Sequence, residues 1–423
     1  MFTVKTARAF DVAVVGAGPS GSLAARQLAK AGCNVALLDA SRFPRDKPCG
    51  GGIQERGLAY IPVDLDGITK SSCHKVDFTV DLRDRFRKEA NGSIVRCVIR
   101  SEFDTHLLRN AELAGAKVFQ GVRVGRIQSG RGRRDLDTSI GPFRAKYVLG
   151  ADGANSVVGR LLNERQSFFW QTALFAEIPA RSLDLSGMDP CALRIDWGTL
   201  PSGYAWLFPK GETVNVGAGG PNRLARLLKN YLVAFLRREK IAGQEVLGSI
   251  TWKGHQLPTM TRRTRFASDG ILLLGDAAGM VEPLTGEGIS YACQSAKLAA
   301  DVILDQFDGP DLEASYTQLV HSEIRSEIAW SLRILHFAAL FPRTFCASFR
   351  NSQSIWNSFC RVLRGERTFQ SLQAELLGPL HILSASLAPF ARIRDIVGTA
   401  TGDIRRLEQS LKNLRERDVQ YAG

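Results

Sequence analysis

The sequence predicts an α/β fold built on a parallel, doubly wound sheet that binds a dinucleotide, and three glycine-bearing strand ends carry that prediction. Residues 11–15 form a short apolar run that leads into Gly16-Ala17-Gly18-Pro19-Ser20-Gly21. Residues 271–274 lead into Gly275-Asp276-Ala277-Ala278-Gly279, and residues 147–149 lead into Gly150-Ala151-Asp152-Gly153. A buried strand followed at once by glycines and a helix start is how a parallel sheet presents backbone N–H groups to a phosphate.

The first unit is complete in itself. A helix follows to residue 30, Ala31-Gly32 ends it, and residues 35–38 form a second strand closed by Asp39. Gly16 permits the tight turn, Gly18 lets the backbone approach a pyrophosphate, and Gly21 lets helix and strand pack closely. Ser20 lies in the first turn of that helix, whose unpaired N–H groups and positive dipole face the anion. Asp39 is placed to accept hydrogen bonds from ribose hydroxyls and would repel a 2′-phosphate, so the unit suits FAD or NAD rather than NADP.

In the second unit Asp276 can bond a ribityl or pyrophosphate-linked hydroxyl. The N–H groups at Gly286, Gly288 and Ile289, where a helix to about residue 304 begins, can face an anionic flavin oxygen. Asp152-Gly153 by itself reads as a turn and gains meaning from the other two.

Composition bounds the alternatives. The chain has 423 residues, enough for two or three domains at roughly 150 residues each. Its eight cysteines contain no Cys-x-x-Cys pair, so neither a zinc site nor an iron–sulfur cluster is spelled out, and a reduced cytoplasmic setting is expected. No stretch reaches the roughly 18 to 20 apolar residues of a membrane span; residues 376–391 are interrupted by Pro379, His381 and Pro389. The net charge of +13 favours anionic partners, but no nucleic-acid-binding module accompanies it, and nucleic acid is set aside.

The three motifs resemble, in order and spacing, the fingerprints of the para-hydroxybenzoate hydroxylase-like flavoproteins over about residues 8–325. Two further strings, Pro44-Arg45-Asp46-Lys47-Pro48-Cys49-Gly50-Gly51-Gly52 and Tyr204-Ala205-Trp206-Leu207-Phe208-Pro209-Lys210, look like signatures of the geranylgeranyl reductase family within them. The resemblance implies a Rossmann-type FAD-binding domain assembled from residues 1–75, 98–172 and 262–325. It also implies an inserted antiparallel β-sheet substrate domain from 76–97 and 173–261, and a helical C-terminal region from 326–423. It further implies that Arg100, with Phe103, Asp104 and Leu107, begins a helix near the flavin, and that Cys49 faces the active site. The implied activity is FAD-dependent saturation of carbon–carbon double bonds in an isoprenoid lipid or prenyl substrate. The alternatives are a flavin monooxygenase or halogenase acting on a small aromatic, and a non-catalytic lipid- or flavin-binding protein.

Reducing an isolated double bond needs hydride from reduced flavin to one carbon and a proton to the other, in a pocket without water. Cys49, in a loop with little side-chain bulk, is a candidate proton donor; a small apolar filler is the other reading. Arg45 and Lys47 can lower the thiol pKa, contact a substrate phosphate, or be solvated. Tyr204, Trp206 and Phe208 alternate along a strand and share a face, which either lines an isoprenoid tunnel or packs a core. Gly217-Ala218-Gly219-Gly220 is not a second dinucleotide fingerprint, because Asn222 stands where the third glycine would fall. The external electron donor, NADPH or ferredoxin, is therefore expected to bind transiently.

Residues 331–394 carry eight arginines against two glutamates, with Phe337, Phe341, Phe345, Phe349, Trp356, Phe359, Phe369 and Phe390. This composition suits either peripheral contact with a membrane surface or a helical subdomain packed on the core. Pro342 is expected to start a new helix within the phenylalanine series. Residues 403–418 read as a charged terminal helix.

Overall fold

The computed structural model describes residues 7–130 and 132–372. Its central sheet runs in the order Ala267–Ser268, Ile271–Leu273, Gly141–Gly150, Arg8–Val15, Val35–Asp39, Lys117–Gln120, with Val124–Gly130 and Arg133–Thr138 appended as antiparallel strands. Val12, Ala13, Val14, Ala36, Leu37 and Leu38 are fully buried, as continuous apolar runs are when both faces of a parallel sheet are covered. The helix Pro19–Lys30 packs against the helix Ile289–Asp305, and Ala24, Ala25, Ala296 and Ala299 of the two helices are fully buried.

The register of this sheet builds the site. Val15 pairs with Leu38 on one side and with Gly150 on the other, and Gly150 pairs with Leu273. Gly16, Asp39, Ala151 and the Gly275-Asp276 turn therefore all leave the same carboxyl edge, where ligands of such sheets bind.

A second sheet has the order Lys253–Met260, Phe168–Pro179, Thr213–Pro221, Tyr204–Lys210, Ala192–Trp197, Lys75–Val80, Asp84–Glu89. The expectation of a wholly antiparallel sheet needs one correction: Ala192–Trp197 and Lys75–Val80 are parallel. These strands come from chain segments far apart in sequence, so no hairpin constrains their direction. Between the two sheets, Gly52–Gln54, Val95–Val98 and Thr69–Cys73 form a small sheet that carries the end of the Cys49 loop.

Helices Ser326–Leu340, Pro342–Asn351 and Gln353–Leu363 pack against the second sheet at its Lys75–Val80 and Asp84–Glu89 end. Pro342 does begin a new helix within the phenylalanine series. Phe345, Phe349 and Trp356 are buried with Phe78 and Trp197, and the Trp356 indole N–H donates to the Glu89 carbonyl at 2.6 Å. Much of the aromatic content that reads as a membrane surface is thus turned inward, since composition does not encode which way a helix faces. Phe390, residues 376–391 and the charged helix at 403–418 lie outside the described residues. Among the described residues no helix is long and apolar enough to cross a membrane.

Candidate functional site

The carboxyl edge of the central sheet opens into a cavity of about 590 Å³ that continues to the second sheet and the C-terminal helices. Gly16, Gly18, Ser20, Asp39, Cys49, Arg100, Asp152, Tyr204, Trp206, Asp276, Gly286, Gly288 and Ile289 all lie on its wall. Of the residues expected at the cofactor, Gly21 and Gly275 stand behind that wall. An added Cβ on Gly21 would lie 1.8 Å from the Gly16 carbonyl oxygen, so this glycine lets the turn and helix touch. The Gly275 N–H donates to Ser295 Oγ at 3.1 Å, and its φ of 53° belongs to the turn.

Two helices point their N-termini into the cavity. Gly18 caps the first and Gly288 the motif helix; neither supplies a side chain to the N–H groups, and neither helix has an acid in its first turn. An anionic group is what such ends accept. Gly18 leaves room, because its missing Cβ would meet only the end of Arg45, at 3.6 Å.

Asp39 is held in place from both sides, accepting the Ala17 N–H and the Ser41 N–H at 2.8 Å each. Each carboxylate oxygen keeps a second lone pair for a hydroxyl. The Asp152 carboxylate accepts from the Ser156 hydroxyl, from the Val157 N–H at 2.6 Å and from the Val158 N–H at 3.3 Å, bonds that tie its turn at the cavity wall.

Around Cys49 the wall is charged. Arg100 donates two bonds of 2.9 Å to Asp104, which is wholly buried and also pairs with Arg45 at 3.0 Å. Burial works against the Arg100 charge, but Asp104 and the hydrogen-bonded Cys49 raise its pKa above the ordinary arginine value. The Cys49 sulfur also accepts the Gly51 N–H at 3.3 Å. Lys47 lies 3.0 Å from His255 Nε2, and the same nitrogen lies 3.8 Å from Asp276. Burial lowers the Lys47 pKa; it also pushes Asp276 up, but His255 and Lys47 outweigh it and hold that carboxyl below its usual value. The solvated reading of Lys47 is thereby replaced by a cavity-facing amine.

Tyr204, Trp206 and Phe208 share one face as expected, with successive ring centroids 5.7 and 6.0 Å apart. The Tyr204 hydroxyl donates to the Thr285 carbonyl, joining this strand to the glycine loop of the motif helix. The glycines at 217–220 have a packing use: a Cβ on Gly217 would lie 2.2 Å from the Trp206 ring. Sequence reasoning missed Asn215, which accepts the Trp206 indole N–H at 2.7 Å and donates to Glu177 at 2.9 Å and to the Cys49 carbonyl at 3.4 Å. Buried Lys210 donates to the same Glu177 oxygen at 2.5 Å. This network fastens the Cys49 loop to the aromatic strand. His255 and Asn215 lie far along the chain from the loop they contact, and no local pattern marks them.

Glu287, behind the Gly286–Gly288 turn, accepts the Ser290 N–H at 2.7 Å, and burial near Glu282 pushes its pKa up to about 7. A raised carboxyl holds its proton in the folded state after the unfolded chain has lost it. Its stabilisation is full below about pH 4.5 and is lost as pH rises through about 7, on the order of 3 kcal/mol in all. Denaturant titrations of flavin-free protein across that window should show the decline, and Glu287→Gln should flatten it.

A family model described as FAD binding domain matches residues 9–318. The chain is 30% identical to menaquinone reductase of Mycobacterium tuberculosis, over 84% of this chain and 90% of that one. It is 32% identical to geranylgeranyl diphosphate reductase of Rhodobacter capsulatus, over 70% of this chain and 75% of that one. A geranylgeranyl bacteriochlorophyll reductase-like structure from Thermoplasma acidophilum superposes with a TM-score of 0.70 at 22% identity, covering 93% of this chain and all of that one.

Proposed function

The chain belongs to the geranylgeranyl reductase family of FAD-dependent oxidoreductases, and from that premise we propose that it saturates carbon–carbon double bonds of an isoprenoid chain lying in the apolar end of the cavity. One observation carries the reading: a single cavity joins the glycine-capped helix ends and glycine turns at one side to a lobe walled by Phe78, Ile195, Trp197, Phe345 and Phe349 at the other. Cys49 and Trp206 lie on the same wall.

The residues present fit FAD. The cradle at Gly18 admits a pyrophosphate, Asp39 accepts ribose hydroxyls, and Asp276 with the N–H groups of Gly286, Gly288 and Ile289 serves the flavin half. When bound, FAD supplies the hydride chemistry. The chain's own part is to hold the alkene against the aromatic wall, keep water out, and give a proton to the second carbon. In this reading Cys49 gives that proton from its sulfur, and Arg100 and the Gly51 N–H position the thiol. The dry lobe prevents competing reactions with solvent.

In this reading the flavin side comprises residues 1–75, 98–167 and 262–325, and the substrate side 76–97 and 168–261, because the strand Phe168–Pro179 stays undivided in the second sheet. The helices Ser326–Leu340, Pro342–Asn351 and Gln353–Leu363 cover the substrate lobe. Electrons arrive from an external donor, NADPH or ferredoxin, that binds in passing. Peripheral contact with a membrane surface also belongs to the reading. Leu340 and Phe341 are about half exposed, at 50% and 49%, next to Arg343.

The test is anaerobic incubation of FAD-loaded protein with a chemical reductant and polyprenyl substrates, followed by product mass. The expected product gains two hydrogens for each bond reduced. Unchanged polyprenyl substrate, with oxygen uptake and hydroxylation of an aromatic once air is admitted, would instead support the monooxygenase reading.

A further inference from the structure

Resting on the reductase reading, we infer that the chain bound in the apolar lobe carries an uncharged head, so that the substrate is a neutral polyprenyl compound rather than a prenyl diphosphate. The inference comes from where the cavity keeps its cations. Among the described residues, the lysines and arginines on the wall are Arg45, Lys47, Arg100 and Arg123. Arg45 reaches to 3.6 Å from the Cβ position of Gly18, and Lys47 to 3.8 Å from that of Gly153, so both face the glycine turns. Arg100 is held by Asp104, which also pairs with Arg45. Arg123 follows Val122, whose N–H donates to the Asp39 carbonyl, and so belongs to the ribose side. Arg45, Lys47 and Arg123 thus face the glycine turns and the ribose side, and Arg100 is already paired with Asp104.

The lobe beyond Trp206 is different. Its described wall includes Val76, Phe78, Leu193, Ile195, Trp197, Phe345 and Phe349, and none of the cavity's described lysines or arginines belongs to it. A diphosphate drawn in there would lose its hydration and gain no cation from the described wall. A quinone, alcohol or ether head loses far less hydration and needs no cation.

The experiment titrates oxidised, FAD-loaded protein calorimetrically with geranylgeraniol and with geranylgeranyl diphosphate, two ligands differing only in the head, at low and high salt. Anaerobic turnover of both is measured in parallel. The expected result is that the alcohol binds at least about tenfold more tightly than the diphosphate, with an affinity that salt does not change. A prenyl naphthoquinone in the same assay tells a quinone head from an alcohol or ether. Diphosphate binding more tightly than the alcohol and weakening with salt would overturn the inference while leaving the reductase reading intact. Alcohol binding without reduction of either ligand would uphold the head-group preference and sink the reductase reading, and binding of neither would overturn both.

Discussion

Cys49→Ala is expected to lower the rate at which an isoprenoid alkene reoxidises the reduced flavin by about 10²- to 10⁴-fold, the span of a lost general acid, while FAD content stays at the wild-type level. The two readouts separate because of how the loop is held. An added Cβ on neighbouring Gly50 would lie 3.3 Å from the Phe208 ring and 3.4 Å from the Trp206 indole nitrogen, so the loop runs close against both rings. The Cys49 carbonyl is bonded to Asn215, and only the thiol changes in the variant. Alanine fits where cysteine stood, so stability should hardly move. Cys49→Ser, which keeps a proton, should recover part of the rate. A Cys49→Ala enzyme as fast as wild type would mean that the thiol only packs and that the proton comes from another group.

The second large effect separates fold from ligand at the first glycine motif. In Gly21→Ala the new methyl would sit 1.8 Å from the Gly16 carbonyl oxygen and 3.1 Å from the Ala151 methyl. Backbone stands in the way, so the helix must leave its strand. We expect several kcal/mol of lost stability and no retained flavin, as for other forced overpacking at a backbone contact. Gly18→Ala is the control. Its φ of −72° suits any residue, and the methyl would meet only the end of Arg45 at 3.6 Å. The flavin-free protein should melt like wild type, yet bind FAD about 100-fold more weakly, because the methyl occupies the approach of the pyrophosphate. Melting curves and flavin absorbance per protein check both variants. Equal FAD affinity in Gly18→Ala would move the pyrophosphate away from this turn.

These glycines were legible in the sequence because their chemistry is local. A turn, a close approach and a helix end are encoded within the six residues 16–21, and the strands on either side are continuous apolar runs. The sharing of one face by Tyr204, Trp206 and Phe208 was equally readable, since a strand fixes it by alternation. What could not be read was direction and partnership. Phe345 and Trp356 carry the same composition whether they meet lipid or, as here, Phe78 and Trp197. The Val157 and Val158 N–H groups donate to the Asp152 carboxylate through a turn that the motif does not spell out. Lys47 meets His255, and Asn215 meets Cys49, only because the second sheet folds back over the loop. The parallel pairing of Lys75–Val80 with Ala192–Trp197 is likewise set by tertiary assembly.

The most direct test of the central claim is a single turnover without oxygen. FAD-loaded protein is reduced with dithionite, freed of excess reductant, and mixed with a polyprenyl substrate while flavin absorbance and product mass are followed. The account predicts that the flavin reoxidises and that one double bond is saturated for each flavin. A flavin that stays reduced with every polyprenyl compound, and reoxidises only when air enters, would contradict it.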